Sequence, residues 1–140
     1  MRQALRLANT HKGRTGKNPS VGCVLVKDGN VIGTGVTAMG GRPHAETQAL
    51  NIAGRKARGA TAYVTLEPCS HHGQTGPCAE ALIQARISRC VIAGIDPDPR
   101  VNWRGAAKLQ EAGIDTQVGL LADEAAEIMD DFFKRVRVKP

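Results

Sequence analysis

After residue 60, strand-like and helix-like segments alternate, and this order limits the fold more than any other feature of the sequence. The runs 61–67, 89–96 and 114–120 have the pattern of strands. Helical patterns at 78–85 and 103–112 separate them. Strands connected by helices pair in parallel, and the helices pack on the faces of the sheet. The sequence therefore predicts an α/β domain with a parallel sheet in its second half.

The first 60 residues predict a helix, a two-stranded hairpin and a second helix. Asp28-Gly29-Asn30 joins two apolar, β-branched runs and has the residue chemistry of a hairpin turn. Pro43 suits the first turn of a helix, where a backbone N–H has no helical partner in any case. These elements cover 1–9, 21–27, 31–36 and about 43–57, and a last helix is predicted over 121–135.

In a chain of 140 residues, this order fits a single domain. We expect a three-layer α/β/α sandwich around a mixed five-stranded sheet. Aromatic residues make up only 3% of the chain, so the core must be built from alanine, valine, leucine and isoleucine. Such a composition favours helices with small residues packed on a buried sheet.

The formal charge of +6 favours an anionic partner, either a phosphate ester or a nucleic acid. Nucleic acid is the less favoured of the two, because a reader of single strands needs stacking aromatic residues. No apolar run approaches the length of a membrane span and no signal peptide is recognisable, so we expect a cytoplasmic protein with no membrane partner. In that reducing compartment, the four cysteines indicate metal binding or catalysis before disulfides.

His44, Cys69 and Cys78 form the strongest chemical pattern in the sequence. His44 opens one predicted helix, Cys69 follows the central strand, and Cys78 opens the next helix. One imidazole and two thiolates suit tetrahedral zinc, and the positive end of a helix favours thiolate over thiol. Three protein ligands leave a fourth position for water, as in catalytic sites. We predict one catalytic zinc ion per chain.

Glu46 completes an H-x-E triplet with His44 and is predicted to be the catalytic residue. Zinc lowers the pKa of a bound water to about neutrality, and a nearby carboxylate can then carry the proton. A structural site is the alternative: His71 or His72 would supply the fourth ligand, and the protein would be a non-catalytic, zinc-stabilised binding module.

Four segments resemble the deaminase domain of the bifunctional riboflavin-biosynthesis deaminase/reductase family, in the cytidine deaminase-like superfamily. They are NPSVGCVLVKDG, PHAE, ATAYVTLEPCSHHGQTGPC and DPDPRV, and the resemblance runs from the first helix to Phe133. Eight residues separate Cys69 from Cys78, whereas the general zinc-deaminase signature has two. Cytidine deaminases and tRNA adenosine deaminases keep that short spacing, so the long loop separates this branch from theirs.

The resemblance implies a cytidine deaminase-like fold and zinc-dependent hydrolytic deamination of 2,5-diamino-6-ribosylamino-4(3H)-pyrimidinone 5′-phosphate. No G-x-G-x-x-G motif is present, so we predict no NADPH site, and 1–140 are interpreted as one deaminase domain without the reductase. Self-association is common among relatives of this fold, and we expect a homo-oligomer. By position, the resemblance assigns substrate contacts to Asn18, Ala45, Ser70, His71, His72, Asp96 and Asp98.

Some residues have a structural interpretation beside the functional one. Asn18 can be a turn residue before a proline, and Gly22 can admit the substrate or mark a bulge. Cys23 and Cys90 lie within predicted strands and are expected to be buried structural thiols. His11, in a basic loop, is expected to be solvated.

Three positions depart from the family pattern. Asp98 stands where the family often has asparagine, Trp103 where a small residue is usual, and Thr37 where many relatives carry histidine. These departures concern substrate contacts rather than the metal site. The nearest alternative function is therefore a deaminase of another nucleoside, a base or a tRNA.

Overall fold

The computed structural model describes residues 1–69, 78–97 and 102–138. Within these ranges, helices and strands follow the predicted order. The elements are α1 (Arg2–Thr10), β1 (Gly22–Lys27), β2 (Asn30–Val36), α2 (Ala45–Ala53), a 3-10 turn (Gly54–Ala57), β3 (Thr61–Leu66), α3 (Cys78–Gln84), β4 (Arg89–Gly94), α4 (Arg104–Glu111), β5 (Asp115–Val118), α5 (Ala122–Ile128) and α6 (Asp130–Val138).

The five strands form one mixed sheet in the order β2-β1-β3-β4-β5. β1 pairs antiparallel with both β2 and β3, whereas β3, β4 and β5 are parallel. The β1–β2 turn has positive φ angles at Asp28 (52°) and Gly29 (78°), as a type I′ hairpin turn requires. The prediction of a hairpin followed by a parallel half is confirmed.

Helices cover both faces of the sheet. On one face, α2 packs on β1 and β2 and contacts α3, which in turn contacts α4. On the other face, α1 packs on β1, β2 and β3 and contacts α5, which lies against β3 and β4. The predicted three-layer sandwich is therefore confirmed, and its core is rich in buried alanines, as the composition indicated.

The close packing of α2 on β2 fixes where the first turn of α2 lies. A Cβ placed on Gly35 would come within 2.2 Å of the Ala45 carbonyl oxygen, so no larger residue fits between strand and helix there. Gly22 allows the same approach on the opposite face, because its Cβ would lie 1.9 Å from the Ala4 carbonyl oxygen of α1. Helix packing therefore accounts for Gly22, where the sequence had suggested substrate access or a bulge.

Two helix predictions are corrected in detail. Pro43 lies before α2 rather than in its first turn, since His44 is the N-cap, and the Arg42–Pro43 peptide bond is cis. The predicted helix over 121–135 is divided at Met129, where the backbone leaves helical geometry (φ −100°, ψ 17°). Within the described ranges, no helix is long and apolar enough to span a membrane.

Replacing Gly35 by alanine tests the strand–helix contact. We expect Gly35→Ala to lower the free energy of unfolding by about 2–3 kcal/mol, because backbone atoms of α2 would have to move. Gly94→Ala is the matched control, since its added Cβ would meet only the Thr65 carbonyl oxygen at 3.8 Å. It should change stability by less than about 1 kcal/mol. Urea unfolding measures both, and equal stability of the two variants would contradict the contact.

Candidate metal centre

Three different elements bring His44, Cys69 and Cys78 together. His44 is the N-cap of α2 with an extended backbone, Cys69 lies just after β3, and Cys78 is the first residue of α3. Their donor atoms all lie within 4.8 Å of one another. The His44 Nδ1 is 3.4 Å from the Cys78 Sγ, so Nδ1 is the ring nitrogen that faces the cluster. The three predicted ligands thus converge at one point.

The start of α3 is built around Cys69. Its sulfur accepts the backbone N–H of Cys78 at 3.3 Å, and its carbonyl oxygen accepts the N–H of Ala79 at 3.0 Å. Hydrogen bonding with the Cys78 thiol, and then with His44, lowers the pKa of Cys69 to about 4 against the effect of burial. The same hydrogen bond and burial raise the pKa of Cys78. Cys69 is thus the more acidic thiol of the pair.

This donor set fits zinc. One imidazole nitrogen and two sulfurs within a few ångströms match the ligands and the size of tetrahedral zinc sites, and thiolate sulfur disfavours magnesium and calcium. Three ligands with a fourth position open are typical of catalytic rather than structural zinc. Within the described residues, the cluster has three members, while His71 and His72 lie outside those residues.

Glu46 lies in the first turn of α2 and is almost fully buried, with 5% of its surface exposed. Burial raises the pKa of its carboxyl group to about 7, while the neighbouring His44 and Cys78 act in the opposite direction. A carboxyl group of this kind beside three ligand atoms can exchange a proton with whatever binds there. The position predicted for the catalytic residue is therefore adjacent to the metal cluster.

Three of the predicted substrate-contact residues lie within the described residues: Ala45, Asp96 and Asn18. Ala45 is fully buried between His44 and Glu46. Asp96 is buried after β4, and Asn18 is half-buried, with its Nδ2 donating to the Gly41 carbonyl oxygen at 2.9 Å. Asn18 therefore joins two loops, which agrees with its structural interpretation. The other candidates, Ser70, His71, His72 and Asp98, lie outside the described residues.

The environment of His11 differs from the prediction, whereas that of Cys23 and Cys90 agrees with it. His11 is not simply solvated, because its Nδ1 lies 2.8 Å from the Thr37 carbonyl oxygen and the contact is partly buried. Thr37 itself is buried, and its hydroxyl accepts the N–H of Val21 at 2.9 Å. Cys23 and Cys90 are fully buried as predicted, and burial raises the pKa of both thiols.

Glu67 is the residue near this cluster that the sequence interpretation missed. The sequence pattern makes it the last residue of the predicted strand 61–67, but in the structure its carboxylate is buried and accepts backbone N–H groups from two other segments. A signal was present in the sequence: an acidic residue ends an otherwise apolar, buried run. Such residues are almost never buried unless they are paired.

The family model for the cytidine and deoxycytidylate deaminase zinc-binding region matches residues 1–94. The chain belongs to this zinc-binding deaminase family, and His44, Cys69 and Cys78 form a possible site for the metal. The fold agrees, since the solved structure of Acinetobacter baumannii RibD, form 2, superposes with a TM-score of 0.94. That structure is 47% identical, and the match covers 98% of this chain and 39% of that one.

Two curated relatives are similar to this chain over nearly its whole length. The riboflavin biosynthesis protein RibD of Escherichia coli (strain K12) is 53% identical over 137 residues, 98% of this chain. The chain spans only 37% of that relative's length. The diaminohydroxyphosphoribosylamino-pyrimidine deaminase of Buchnera aphidicola subsp. Schizaphis graminum is 43% identical over 98% of this chain, and here the match covers 93% of the relative.

Cysteine substitutions test the metal centre without reference to activity. We expect Cys78→Ala to lower the zinc content from about one ion per chain to near zero, since two ligands hold zinc far less well than three. Cys90→Ala removes an equally buried thiol that lies outside the cluster and should keep its zinc. Native mass spectrometry of both proteins gives the stoichiometry, and full zinc content in Cys78→Ala would exclude it as a ligand.

Proposed function

We propose that this chain is a zinc-dependent hydrolase that deaminates 2,5-diamino-6-ribosylamino-4(3H)-pyrimidinone 5′-phosphate and releases ammonia in riboflavin biosynthesis. The observation that carries the proposal is the buried carboxyl group of Glu46 beside the cluster of His44, Cys69 and Cys78. The Buchnera relative, named as the deaminase of this compound class and matched over nearly its whole length, supports the substrate.

His44, Cys69 and Cys78 would hold the zinc ion. When bound, zinc supplies a Lewis acid that makes water nucleophilic near neutral pH. Cys69, just after β3, and Cys78, at the start of α3, would bind the ion through their sulfur atoms, and His44 through a ring nitrogen. The protein's remaining task is to hold the ring carbon that bears the amino group against that water and to move protons.

Glu46 carries the protons in the proposed reaction. It takes one from the attacking water and gives it to the adjacent ring nitrogen as the ring carbon becomes tetrahedral. It then moves the remaining hydroxyl proton to the amino group, so that the carbon–nitrogen bond breaks with ammonia as the leaving group. The carbon–oxygen bond becomes a carbonyl, and the balance is one water consumed for one ammonia released.

Substrate recognition is assigned to the contact candidates that the family resemblance indicates. Asn18 presents an amide, which can both donate to and accept from a pyrimidinone edge, and its bond to Gly41 holds the amide in one orientation. Asp96, at the end of β4, is assigned to the ribose side. Ser70, His71, His72 and Asp98 are assigned to the phosphate and ribose end, and Ala45 to the wall beside the metal.

Three further properties are proposed: the domain organisation, the compartment and self-association. Residues 1–140 are proposed to be one deaminase domain, because the described strands form one sheet. The four cysteines are free thiols, which supports the proposal that the protein functions in a reducing compartment, the cytoplasm. Self-association through helices that flank the sheet stays a prediction, which sedimentation equilibrium of the zinc-loaded protein would test.

Replacing Glu46 tests the proton-transfer role. Glu46→Gln keeps the size and polarity of the side chain but cannot carry the proton, so kcat should fall at least about a hundredfold. Zinc content should stay at about one ion per chain. Glu80→Gln is the matched control, because Glu80 lies on α3 in a partly exposed ion pair with Lys108. It should leave kcat unchanged, and full activity of Glu46→Gln would exclude the mechanism.

Ammonia release from different substrates tests the proposed reaction. The zinc-loaded chain should release ammonia from the diaminopyrimidinone phosphate and not from cytidine, adenosine or an unmodified tRNA. Release from one of these other compounds alone would instead identify a deaminase of a nucleoside or of tRNA. If the zinc-loaded chain releases ammonia from none of these compounds, the result would favour the non-catalytic binding module.

A further inference from the structure

Glu67 is a buried acidic residue to which the proposed reaction gives no role. It follows β3 directly, and only 3% of its surface is exposed. Burying a carboxylate is costly unless hydrogen bonds replace the lost water. A side chain kept in such a place therefore has partners that compensate for the burial.

These partners are backbone N–H groups from outside β3. Glu67 Oε1 accepts the N–H of Asp96 at 3.3 Å and the N–H of Trp103 at 3.0 Å, while Oε2 accepts the N–H of Ala106 at 2.9 Å. Hydrogen bonds to a charged acceptor are stronger than those between neutral groups. One carboxylate thus holds three points of the segment that leads from β4 into α4.

The three points include both ends of the connection. Asp96 is two residues beyond β4, and Trp103 is the N-cap of α4, with Ala106 in its first turn. Tryptophan cannot cap a helix through its side chain, and none of the α4 N–H groups is capped by Trp103. Glu67, directly after β3, instead accepts N–H groups at the N-terminus of α4, and its negative charge suits that end of a helix.

The geometry around this carboxylate leaves little freedom. A Cβ on Gly105 would lie 1.8 Å from the Pro68 carbonyl oxygen, so α4 packs directly on the segment that follows Glu67. Trp103 has a left-handed backbone (φ 63°, ψ −6°), which is unfavourable for a bulky residue and persists only when the surroundings hold it. The bond from its N–H to Glu67 is one such constraint.

Cys69 lies two residues after Glu67 on the same short segment. Its carbonyl oxygen and sulfur anchor the start of α3, while Glu67 anchors the start of α4 and the backbone of Asp96. The segment 67–69 therefore has the metal cluster at one end and the proposed substrate-contact residue Asp96 bonded to the other. A shift at Glu67 would change the distance between the two.

We propose that Glu67 is a positioning residue, which fixes Asp96 and the N-terminus of α4 at a set distance from the metal ligand Cys69 and so shapes the substrate side of the site. This assignment rests on the proposed function for its kinetic consequence. The structural part of the assignment, that Glu67 binds the three backbone N–H groups, does not depend on the proposed function.

Glu67→Gln tests the proposal with the smallest change of shape. Glutamine has one acceptor oxygen in place of two, and its NH₂ group cannot accept, so at least one of the three bonds is lost. The amides of Trp103 or Ala106 should exchange with deuterium faster, while zinc stays at about one ion per chain. With the diaminopyrimidinone phosphate, KM should rise about tenfold and kcat should change less.

Ser88→Ala is the matched control at the opposite end of β4. The Ser88 hydroxyl also bonds to backbone, at the Gly59 carbonyl oxygen (2.9 Å), and its loss should leave KM and the Trp103 amide unchanged. Glu67→Asp keeps the charge on a shorter side chain and should restore part of the KM and part of the amide protection. It also serves as the test variant if Glu67→Gln does not fold.

Three results would overturn the proposal: unchanged amide exchange in Glu67→Gln, a KM equal to that of the wild type, or loss of zinc. Loss of zinc would make Glu67 a support for the metal ligands instead. Failure of both Glu67 variants to fold would reduce its role to general stability. If the wild-type chain does not act on the diaminopyrimidinone phosphate, the proposed function fails. The amide exchange rates of Trp103 and Ala106 then decide alone whether Glu67 binds these backbone N–H groups.

Discussion

Parallel pairing between β3 and β4 brings the ends of both strands to the same edge of the sheet. The segment 67–69 and Asp96 therefore lie side by side, although Asp96 comes 29 positions after Glu67 in the sequence. The starts of α2 and α3 meet at this edge too, because their ligand atoms join Cys69 in one cluster. Without that pairing, the metal ligands and the residues assigned to the substrate would have no common location.

Two buried glutamates near the cluster illustrate how environment assigns a role. Glu46 lies beside the thiols, and burial is the main influence on its pKa, so its carboxyl group is suited to exchanging a proton. Burial raises the pKa of the Glu67 carboxyl group as well, but backbone N–H groups from other segments donate to it and oppose that shift. The same residue type can thus move protons at one position and hold backbone at another.

The family relationship separates a shared scaffold of sheet and metal cluster from the loops that differ between family members. The cluster and the strands β1 to β4 belong to the part that the zinc-binding deaminase family shares, residues 1–94, whereas β5 lies beyond it. Specificity in such folds resides in loops that follow the strands. Apart from Ala45 in α2, the residues assigned to the substrate, and the departures at Thr37, Asp98 and Trp103, lie outside the helices and strands of the described structure or outside the described residues.

The sequence by itself determined the order of the elements, the mixed sheet and the three residues that form the candidate metal cluster, because hydrophobic period and reactive side chains are local features. It could not reveal the role of Glu67, since the partners of that carboxylate come from residues that only the sheet brings near it. Nor could it place His11 against Thr37 or show that α1 packs on Gly22. Such contacts depend on how separate segments meet, which the tertiary structure alone decides.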